Sequence, residues 1–382
     1  MSNRRSRQTP IPASLQESMD TVEKHYGEGL VSRSSTVAPK NRIPTGSFIL
    51  DYALMGGWPE GYPVMVYGYH STSKSTLFLN GVANFQRKHP DRWPVWIDAE
   101  GLFDADWAEF IGVDTDRMIL SQPESGELTV DLIDAFLRNP DVGLVVLDSI
   151  PSCVPTAVID KSAQDDTMAE LARLMGKLCS KYSSALNMRS RSGDKFRPSF
   201  WMVNQIRNKV GFVMGSPVTL PGGFQINHMA AIKVWLKLKK KHFLSTDTGE
   251  IEDYVEQAFS LEKTKYGSCL GEGEFQLLLR DSEKGVRGHC DNNHQILAYA
   301  RKHGLVTGSG GHYRLMGLED TERVFNKLDH IEEFLNSNMD YRDKLAASII
   351  ACNRTEKGLP KVPVDSYLWS AAWDDDLLVP SS

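Results

Sequence analysis

The chain has 382 residues, of which 41% are hydrophobic and 24% are charged, so it can bury a large core and divide into more than one domain. It contains no uninterrupted apolar stretch of about 18 residues, which excludes a membrane-spanning helix, and its basic, polar start predicts no secretion signal. The five scattered cysteines indicate neither a disulfide framework nor a zinc site, which fits a reducing cell interior. The net charge of −6 means that any affinity for nucleic acid must come from a local basic surface.

The first predicted element is a short N-terminal helix. Residues 14–29 begin with Ser14 as a candidate N-cap, carry apolar residues at helical intervals and end at Gly29. The polar stretch 32–47 then predicts a linker. We therefore expect residues 1–47 to form an arm that contacts a neighbouring subunit.

Short apolar runs alternate with helical patterns in residues 48–284. Buried strands are predicted for YPVMVYG (62–68), PVWIDAE (94–100), GLVVLDS (143–149) and SFWMVNQ (199–205). This alternation predicts an α/β core with a mostly parallel sheet. A further run, at 228–240, alternates apolar and basic residues, which predicts a strand near the sheet edge with one solvent-exposed face.

The composition becomes more polar after residue 284. Two helical patterns, at 292–304 and 321–338, flank a glycine-rich stretch at 307–317. They predict a small α+β domain over residues 285–352. Residues 353–382 are acidic at their end and predict a mobile tail.

The stretch GYHSTSKST, residues 68–76, nearly matches the phosphate-loop pattern G-x-x-x-x-G-K-[ST]. It follows a predicted strand and precedes a predicted helix, so backbone N–H groups and the helix N-terminus would converge on a phosphate. Lys74 would bind the phosphates, and the hydroxyl of Ser75 would ligate Mg²⁺. Ser73 replaces the second glycine of the pattern and adds a Cβ where glycine normally permits strained backbone geometry.

Carboxylates follow two other predicted strands. Asp148 could hold Mg²⁺ through water, although a turn-forming aspartate is about as common in such a position. Asp98 and Glu100 end another strand, and one of them could polarise an attacking water. Because Lys74, Glu100 and Asp148 all lie at strand ends, together they predict a nucleotide hydrolysis site.

Six motifs follow the bacterial RecA-type DNA strand-exchange recombinases in order and spacing, and the resemblance covers nearly the whole chain. These motifs are VEKHYGEG (22–29), IDAEGLFDADWAEFIGVD (97–114), SQPESGE (121–127), LVVLDSI (144–150), FWMVNQIRNKVG (200–211) and PGGFQI (221–226). The resemblance implies a RecA-like P-loop ATPase core with an N-terminal helical arm and a small C-terminal domain. The altered loop glycine resembles the phage recombinases of the UvsX kind, which points to a phage source.

The resemblance implies roles for matching positions in an ATP site. Glu100 would orient the attacking water, Asp148 would support Mg²⁺, and Gln205 would sense the γ-phosphate and couple it to the adjacent DNA loop. Without the resemblance, Gln205 would be a strand-end glutamine capping a turn. The loop residues that would contact ATP are Gly68, His70, Ser71, Thr72, Ser73, Lys74, Ser75 and Thr76.

In proteins of this family, side chains also pack against the adenine of ATP, and a second subunit completes the ATP site. Asp104 and Trp107 fall at the adenine-binding positions, although a tryptophan in such a pattern is more often a core residue. Lys263 and Lys265 match a lysine pair that reaches the neighbour's ATP across the filament interface, and two residues so spaced on a strand share one face. Without the resemblance they would be a solvated strand face. His228 lies where bacterial members place an aromatic residue at that interface.

Two DNA-facing loops are implied, at about 157–168 and 206–223. In the second loop, Arg207 and Lys209 would contact phosphates and the apolar residues would wedge between bases. The first loop is acidic at Asp165 and Asp166, which disfavours phosphate binding there. The residues implied in DNA binding are Met168, Arg173, Arg207, Lys209, Val210, Gly211, Phe212, Val213, Met214, Gly222 and Gly223. Arg173 is otherwise an ordinary solvated helix charge. The basic stretch 187–198 is either an extra nucleic-acid contact or, more commonly, a solvated surface loop.

The implied function is ATP- and Mg²⁺-dependent recombination in the cytoplasm of a bacterial cell or a phage-infected host. The protein would form a helical filament on single-stranded DNA, pair it with homologous double-stranded DNA and hydrolyse ATP, with single-strand-binding and mediator proteins as further partners. Two alternatives stay open. One is a DNA-binding filament or scaffold protein whose ATP hydrolysis is weak or absent because of Ser73. The other is a ring-forming helicase, which the N-terminal arm, the lysine pair and the C-terminal domain disfavour.

Overall fold

The computed structural model describes residues 10–27, 31, 41–159, 167–192, 194, 196–208, 218–246, 249–265, 270–282, 284–316 and 323–357. Its helices are α1 (Ala13–Tyr26), α2 (Phe48–Ala53), α3 (Lys74–Lys88), α4 (Ala105–Ile111), α5 (Gly126–Arg138), α6 (Thr156–Ile159), α7 (Thr167–Arg191), α8 (Gly223–Met229), α9 (Asn293–Lys302), α10 (Leu328–Ser337) and α11 (Met339–Glu356). Its strands are β1 (Arg42–Ile43), β2 (Trp58–Pro59), β3 (Pro63–Gly68), β4 (Trp93–Asp98), β5 (Ile119–Ser121), β6 (Val142–Asp148), β7 (Ser199–Gln205), β8 (Arg207–Asn208), β9 (Val218–Thr219), β10 (Ile232–Thr246), β11 (Gly249–Thr264), β12 (Glu272–Leu278), β13 (Cys290–Asp291), β14 (Val306–Ser309), β15 (His312–Leu315) and β16 (Arg323–Phe325).

A nine-stranded sheet organises the chain, in the order β13-β12-β11-β10-β3-β7-β6-β4-β5. The pairings from β10 to β5 are parallel, and those from β13 to β10 are antiparallel. The four strands predicted from apolar runs, β3, β7, β6 and β4, lie side by side and are almost entirely buried, as expected when helices cover both faces. The predicted α/β fold with a mostly parallel sheet is confirmed.

Helices pack against both faces of this parallel region. On one face, α3 contributes Phe78, whose ring stacks on Trp201 of β7 at 5.3 Å between centroids and meets Trp58 edge-on at 5.8 Å. On the other face, α5 and α7 bury Val145 and Met202. Each such fully buried side chain contributes about 1.5–3 kcal/mol relative to an exposed one. This packing fixes the strand ends that carry the candidate site.

Strand β10 lies inside the sheet, between β3 and β11, so the prediction of a near-edge strand is wrong. Its apolar residues Val234 and Leu236 are buried in the same core as α3, whereas Lys233, Trp235 and Lys237 are half-buried on the opposite face. The alternation of apolar and basic residues in β10 therefore reflects one partly solvated face of the strand and does not indicate a position at the sheet edge. Beyond its pairing with β3, β10 continues antiparallel to β11, and past the end of the β11–β12 pairing at Tyr254 these two strands form a hairpin by themselves.

The N-terminal helix is present, but its start differs from the prediction. α1 begins at Ala13 after Pro12 as N-cap, so Ser14 is not the cap. None of its residues is buried against the rest of the chain. The end of the predicted linker, in contrast, is packed into the main body, because β1 is buried and pairs with β2.

Residues 285–357 combine short strands with three helices. Helices α9, α10 and α11 share an apolar core with Phe48 and Tyr52 of α2, and β13 extends the nine-stranded sheet. Strands β14, β15 and β16 form a separate antiparallel sheet, so β16 replaces the start of the helical pattern predicted at 321–338. The predicted tail, 353–382, begins too early, because α11 continues to Glu356 and buries Asn353 and Arg354. From residue 358 onward the tail lies outside the described residues. In the part of the chain that the structure describes, no helix is long and apolar enough to cross a membrane.

Candidate nucleotide and DNA site

The loop between β3 and α3 has the backbone shape of a phosphate loop despite its serine. A Cβ at Gly68 would lie 2.4 Å from the carbonyl oxygen of Leu236, so glycine is required there. Ser71 and Ser73 adopt left-handed backbone angles, with φ of 56° and 54°. Ser73 thus takes the conformation that glycine would take, at a cost of roughly 1–2 kcal/mol.

A buried glutamine contacts this strained serine. Gln257 of β11 has no exposed surface, and its Nε2 donates to Ser73 Oγ at 3.3 Å. A hydrogen bond of this kind contributes about 0.5–1.5 kcal/mol net, which is comparable to the strain at Ser73. The contact therefore helps the loop to keep a glycine-like shape.

Lys74 is the first residue of α3 and is held at the loop. Its Nζ donates to the Tyr69 carbonyl at 2.7 Å and lies 3.3 Å from Thr72 Oγ1. Burial lowers the pKa of Lys74, while the charges of Asp148 and Glu100 act in the opposite direction. Both loop acceptors can be replaced by phosphate oxygens, so the amine is available to an incoming anion.

The N-terminus of α3 is suited to an anion. Its N-cap residue, Ser73, makes no side-chain capping hydrogen bond within the described residues, and its first turn contains no acidic residue. The helix is 15 residues long, so its first N–H groups and its dipole both favour negative charge at this end. His70 and Ser71 are exposed at the loop tip, Thr72 is buried, and Thr76 is half-buried in the first turn.

Ser75 and Asp148 form the expected pair for a divalent cation. Ser75 Oγ donates to Asp148 Oδ2 at 2.6 Å. Burial raises the pKa of Asp148 to about 6; the charges of Glu100 and Asp98 add to this, whereas the hydrogen bond from Ser75 opposes it. A hydroxyl and a carboxylate are ligands that Mg²⁺ accepts beside phosphate oxygens, so these residues fit the ion.

Hydrogen bonds distinguish the carboxylate of Asp98, the last residue of β4, from that of Glu100, two residues later. Asp98 is buried, and its two oxygens accept from the backbone N–H groups of Gly101 and Phe103, both at 2.9 Å, so it shapes the turn. Glu100 instead accepts from Gln205 Nε2 at 2.8 Å and from Ser149 Oγ at 2.5 Å, both on Oε1. These donors fix the carboxylate while its second oxygen can orient a water.

Asp104 and Trp107 begin α4. Asp104 caps the helix by accepting from the Trp107 N–H at 3.0 Å. The half-buried Trp107 ring lies parallel to Phe110 at 5.9 Å between centroids, and the Arg287 guanidinium is 5.5 Å from its centre. Trp107 also packs near Gly288, whose carbonyl accepts from a side chain of α3. The parallel rings of Trp107 and Phe110 are therefore connected through Gly288 to α3, the helix that follows the phosphate loop.

Lys263 and Lys265 lie on the side of the sheet where the parallel strands begin, whereas the phosphate loop lies on the side where these strands end. They flank Thr264, which pairs with Ile232 beside the amino end of β3, whereas the loop leaves its carboxyl end. About 20 Å of strand separates Lys263 from Gln257, which contacts the loop. Lys263 Nζ donates to the His228 carbonyl at 2.5 Å. Burial lowers the pKa of Lys263, and the charges of Lys265 and Lys233 act in the same direction.

The predicted DNA-binding residues lie partly within the described chain. Arg207, Gly222 and Gly223 line one cavity of about 540 Å³ with residues of α7, and both glycines have positive φ, 92° and 76°. Arg173 is exposed on α7 and pairs with Glu170 at 2.9 Å. Met168 belongs to α7, but its side chain is outside the described residues, as are Lys209, Val210, Gly211, Phe212, Val213 and Met214. Their DNA contacts stay predictions.

The basic stretch 187–198 is not simply a solvated loop. Its first residues continue α7, and Arg189 is only 2% exposed. The Arg189 guanidinium donates to the carbonyls of Asn139 and Val142, at 3.0 and 2.8 Å, and pairs with Asp194 at 2.5 Å. Arg189 therefore joins α7 to the turn before β6 and is not available to nucleic acid.

Four residues near these sites were not predicted from the sequence. Ser149 directly follows Asp148, so its place at a strand end could have identified it as a candidate site residue. Gln257 alternates with buried Val255 and Phe259, and a glutamine at an apolar position is a detectable exception. Lys177 and Phe224 line a groove with Arg173, and Phe224 is 80% exposed immediately after the paired glycines.

Comparisons with known proteins agree with this geometry. The family described as RecA N-terminal domain matches residues 13–281. Protein RecA of Nocardioides sp. is 30% identical over 339 residues, covering 88% of this chain and 90% of that protein. Protein RecA of Nocardia farcinica is 30% identical over 361 residues (92% and 96%), and that of Streptomyces venezuelae is 31% identical over 338 residues (88% and 83%). These relatives leave the phage source a prediction. The chain belongs to the RecA family.

Proposed function

We propose that this protein is an ATP-dependent recombinase that forms helical filaments on single-stranded DNA and pairs that strand with homologous double-stranded DNA. One observation carries the proposal. The phosphate loop with Lys74, the Ser75–Asp148 pair and the Gln205–Glu100–Ser149 network all lie at the carboxyl ends of adjacent parallel strands, where open α/β sheets bind ligands.

The loop residues bind the triphosphate of ATP. The N–H groups at the start of α3 face the β- and γ-phosphates, and Lys74 exchanges its loop acceptors for phosphate oxygens. Ser75 and Asp148 would hold Mg²⁺, which supplies positive charge that offsets the charge of the phosphates when bound. Asp104 and Trp107 contact the adenine on the partly exposed side of the aromatic pair.

Glu100 orients the water that attacks the γ-phosphorus. Its carboxylate is fixed by Gln205 and Ser149, so its rotamer is set before the nucleotide arrives. Gln205 is the last residue of β7, and the second DNA-facing loop begins immediately after it. Movement of the Gln205 amide toward the γ-phosphate therefore changes the start of this loop and couples ATP to DNA binding.

A second copy of the chain completes the site. Lys263 and Lys265 are too far from Lys74 of the same chain to reach its nucleotide, but an adjoining subunit can present them there. Such a head-to-tail contact is heterologous and continues into a filament. The unburied helix α1 supplies a further contact between subunits.

Single-stranded DNA binds along the side formed by α7 and the start of α8. Arg173 and Arg207 contact phosphates, and Gly222 and Gly223 line the cavity beside Arg207. The loop residues 209–214 contact the bases. Single-strand-binding and mediator proteins load the filament, in the cytoplasm of a bacterial or phage-infected cell.

Phosphate release with and without single-stranded DNA tests this function. We expect Mg²⁺-dependent ATP hydrolysis that rises at least tenfold with DNA, together with filaments in negative-stain images. Filaments on DNA without ATP hydrolysis would support the scaffold alternative, and closed rings would support the helicase alternative. Lys74→Ala serves as the background control for contaminating ATPases.

A further inference from the structure

The buried amide of Gln257 contacts the phosphate loop but has no part in the ATPase chemistry described above. Its Nε2 donates to Ser73 Oγ, and its Oε1 has no hydrogen-bond partner among the described residues. Buried side-chain amides are normally satisfied at both ends. A glutamine with one unsatisfied end, and the other directed at the unusual serine, therefore points to a role at the loop.

The position of Gln257 in β11 would ordinarily favour an apolar residue. Val255 and Phe259, two residues away on either side, are buried in the core that α3 shares. Successive inward-facing positions of a strand alternate with outward-facing ones, so Gln257 projects from the same face. An apolar side chain would avoid the unsatisfied oxygen. The amide is thus best explained by its contact with Ser73.

This contact determines which way the Ser73 hydroxyl can donate. A hydroxyl has one proton and two lone pairs, and Gln257 uses a lone pair. Ser73 is the N-cap residue of α3, but its Oγ accepts no hydrogen bond from the N–H groups of this helix. Its proton is left to donate to another acceptor.

We infer that Gln257 is a positioning residue that holds the Ser73 hydroxyl so that it donates to a phosphate oxygen of the nucleotide. Glycine at this position cannot make that contact. The serine and the glutamine therefore act as a pair, in which the added hydrogen bond to phosphate compensates for the strained backbone. The inference rests on the proposed nucleotide site.

A double-mutant cycle tests the pair. The dissociation constant of a non-hydrolysable ATP analogue with Mg²⁺ is measured by calorimetry for the wild type, Ser73→Gly, Gln257→Met and the double variant. We expect Gln257→Met to weaken binding about fivefold in the wild-type background and less than twofold in the Ser73→Gly background. The KM for ATP should rise in step with the dissociation constant, whereas kcat should fall by a smaller factor.

The Ser73→Ala variant distinguishes the effect of the hydroxyl on nucleotide binding from the effect of the Cβ. It keeps the strained Cβ and removes the hydroxyl, so it should weaken binding about tenfold and more than Ser73→Gly does. Gln276→Met, on the neighbouring strand β12, is the control and should change binding less than twofold. Should Gln257→Met not fold, Gln257→Leu gives the same comparison.

Two results would overturn the inference: an equal effect of Gln257→Met in both backgrounds, or wild-type affinity in Ser73→Ala. If the wild type binds no analogue, the proposed function fails instead. The same cycle measured by urea unfolding without nucleotide then still tests the pair, because independent effects of the two substitutions would show that Ser73 and Gln257 do not interact.

Discussion

Replacing Asp148 with asparagine should stabilise the protein while weakening its Mg²⁺ site. Asp148 is buried, and its pKa is raised from 3.8 to about 6. A pKa difference of this size disfavours the ionised carboxylate by about 3 kcal/mol in the folded state. Asparagine has a similar shape, carries no charge and can still accept the hydrogen bond from Ser75. At pH 8 the Asp148→Asn variant should therefore unfold with a free energy about 3 kcal/mol higher than the wild type.

The sign of the pH dependence follows from the direction of this shift. Because the folded protein binds the Asp148 proton more tightly than the unfolded chain, the wild type gains stability from this group as the pH falls from 6 to 4. The variant has no such titration. Its advantage should be nearly constant above about pH 7, shrink as the pH falls through 6 and 5, and be only about 0.5 kcal/mol at pH 4.

Urea unfolding in EDTA, without nucleotide, measures this difference at pH 8, 7, 6, 5 and 4. Asp116→Asn, at an exposed position, is the control and should change the free energy of unfolding by less than about 0.5 kcal/mol. A variant that is less stable than the wild type at pH 8, or a difference that does not depend on pH, would refute the reasoning. In the same variant, Mg²⁺ should no longer improve the affinity for an ATP analogue.

Three further substitutions test other parts of the molecule. Lys74→Ala should abolish ATP-dependent DNA binding, measured by fluorescence anisotropy; ATP-dependent filaments formed by this variant would contradict the role of the lysine. Glu100→Gln should keep nucleotide binding and assembly but lower phosphate release about 10²- to 10⁴-fold, and normal release would exclude Glu100 as the residue that orients water. Arg189→Leu should lower the free energy of unfolding by about 3–5 kcal/mol, because it leaves Asp194 and several buried carbonyls without their partner. Arg173→Leu, an exposed charge on the same helix, is its control, and an equal loss in both variants would argue against the buried role of Arg189.

The sequence was sufficient to predict the central strands and the strand ends that carry the site. Buried parallel strands are short apolar runs, so β3, β4, β6 and β7 could be recognised from composition alone. Parallel strands present their carboxyl ends at one side of the sheet, which is why Glu100 and Asp148 could be expected near the phosphate loop, whereas Gln205 was expected there only from the family resemblance. The order of strands in the sheet was not available from these runs, and β10 was accordingly misplaced.

The details that decide the chemistry depend on contacts between distant parts of the chain. The left-handed backbone of Ser73 is stabilised by Gln257, 184 residues away, and no local pattern encodes that contact. The same holds for Arg189, which looks like a surface charge in the sequence but is buried against carbonyls about 50 residues earlier. Asp98 and Glu100 are equivalent by spacing, and only their hydrogen bonds distinguish them.

If adjoining subunits share the ATP site as proposed, the placement of Lys263 and Lys265 opposite the phosphate loop would make their assembly directional. An array of n subunits joined in this way would have n − 1 complete ATP sites. One end would present an unmatched loop, and the other would present unmatched lysines. The two ends therefore differ in chemistry, and growth and loss of subunits need not proceed equally at both. ATP turnover per subunit should also increase with array length, because the fraction of ATP sites that lack the neighbour's lysines falls as the array grows.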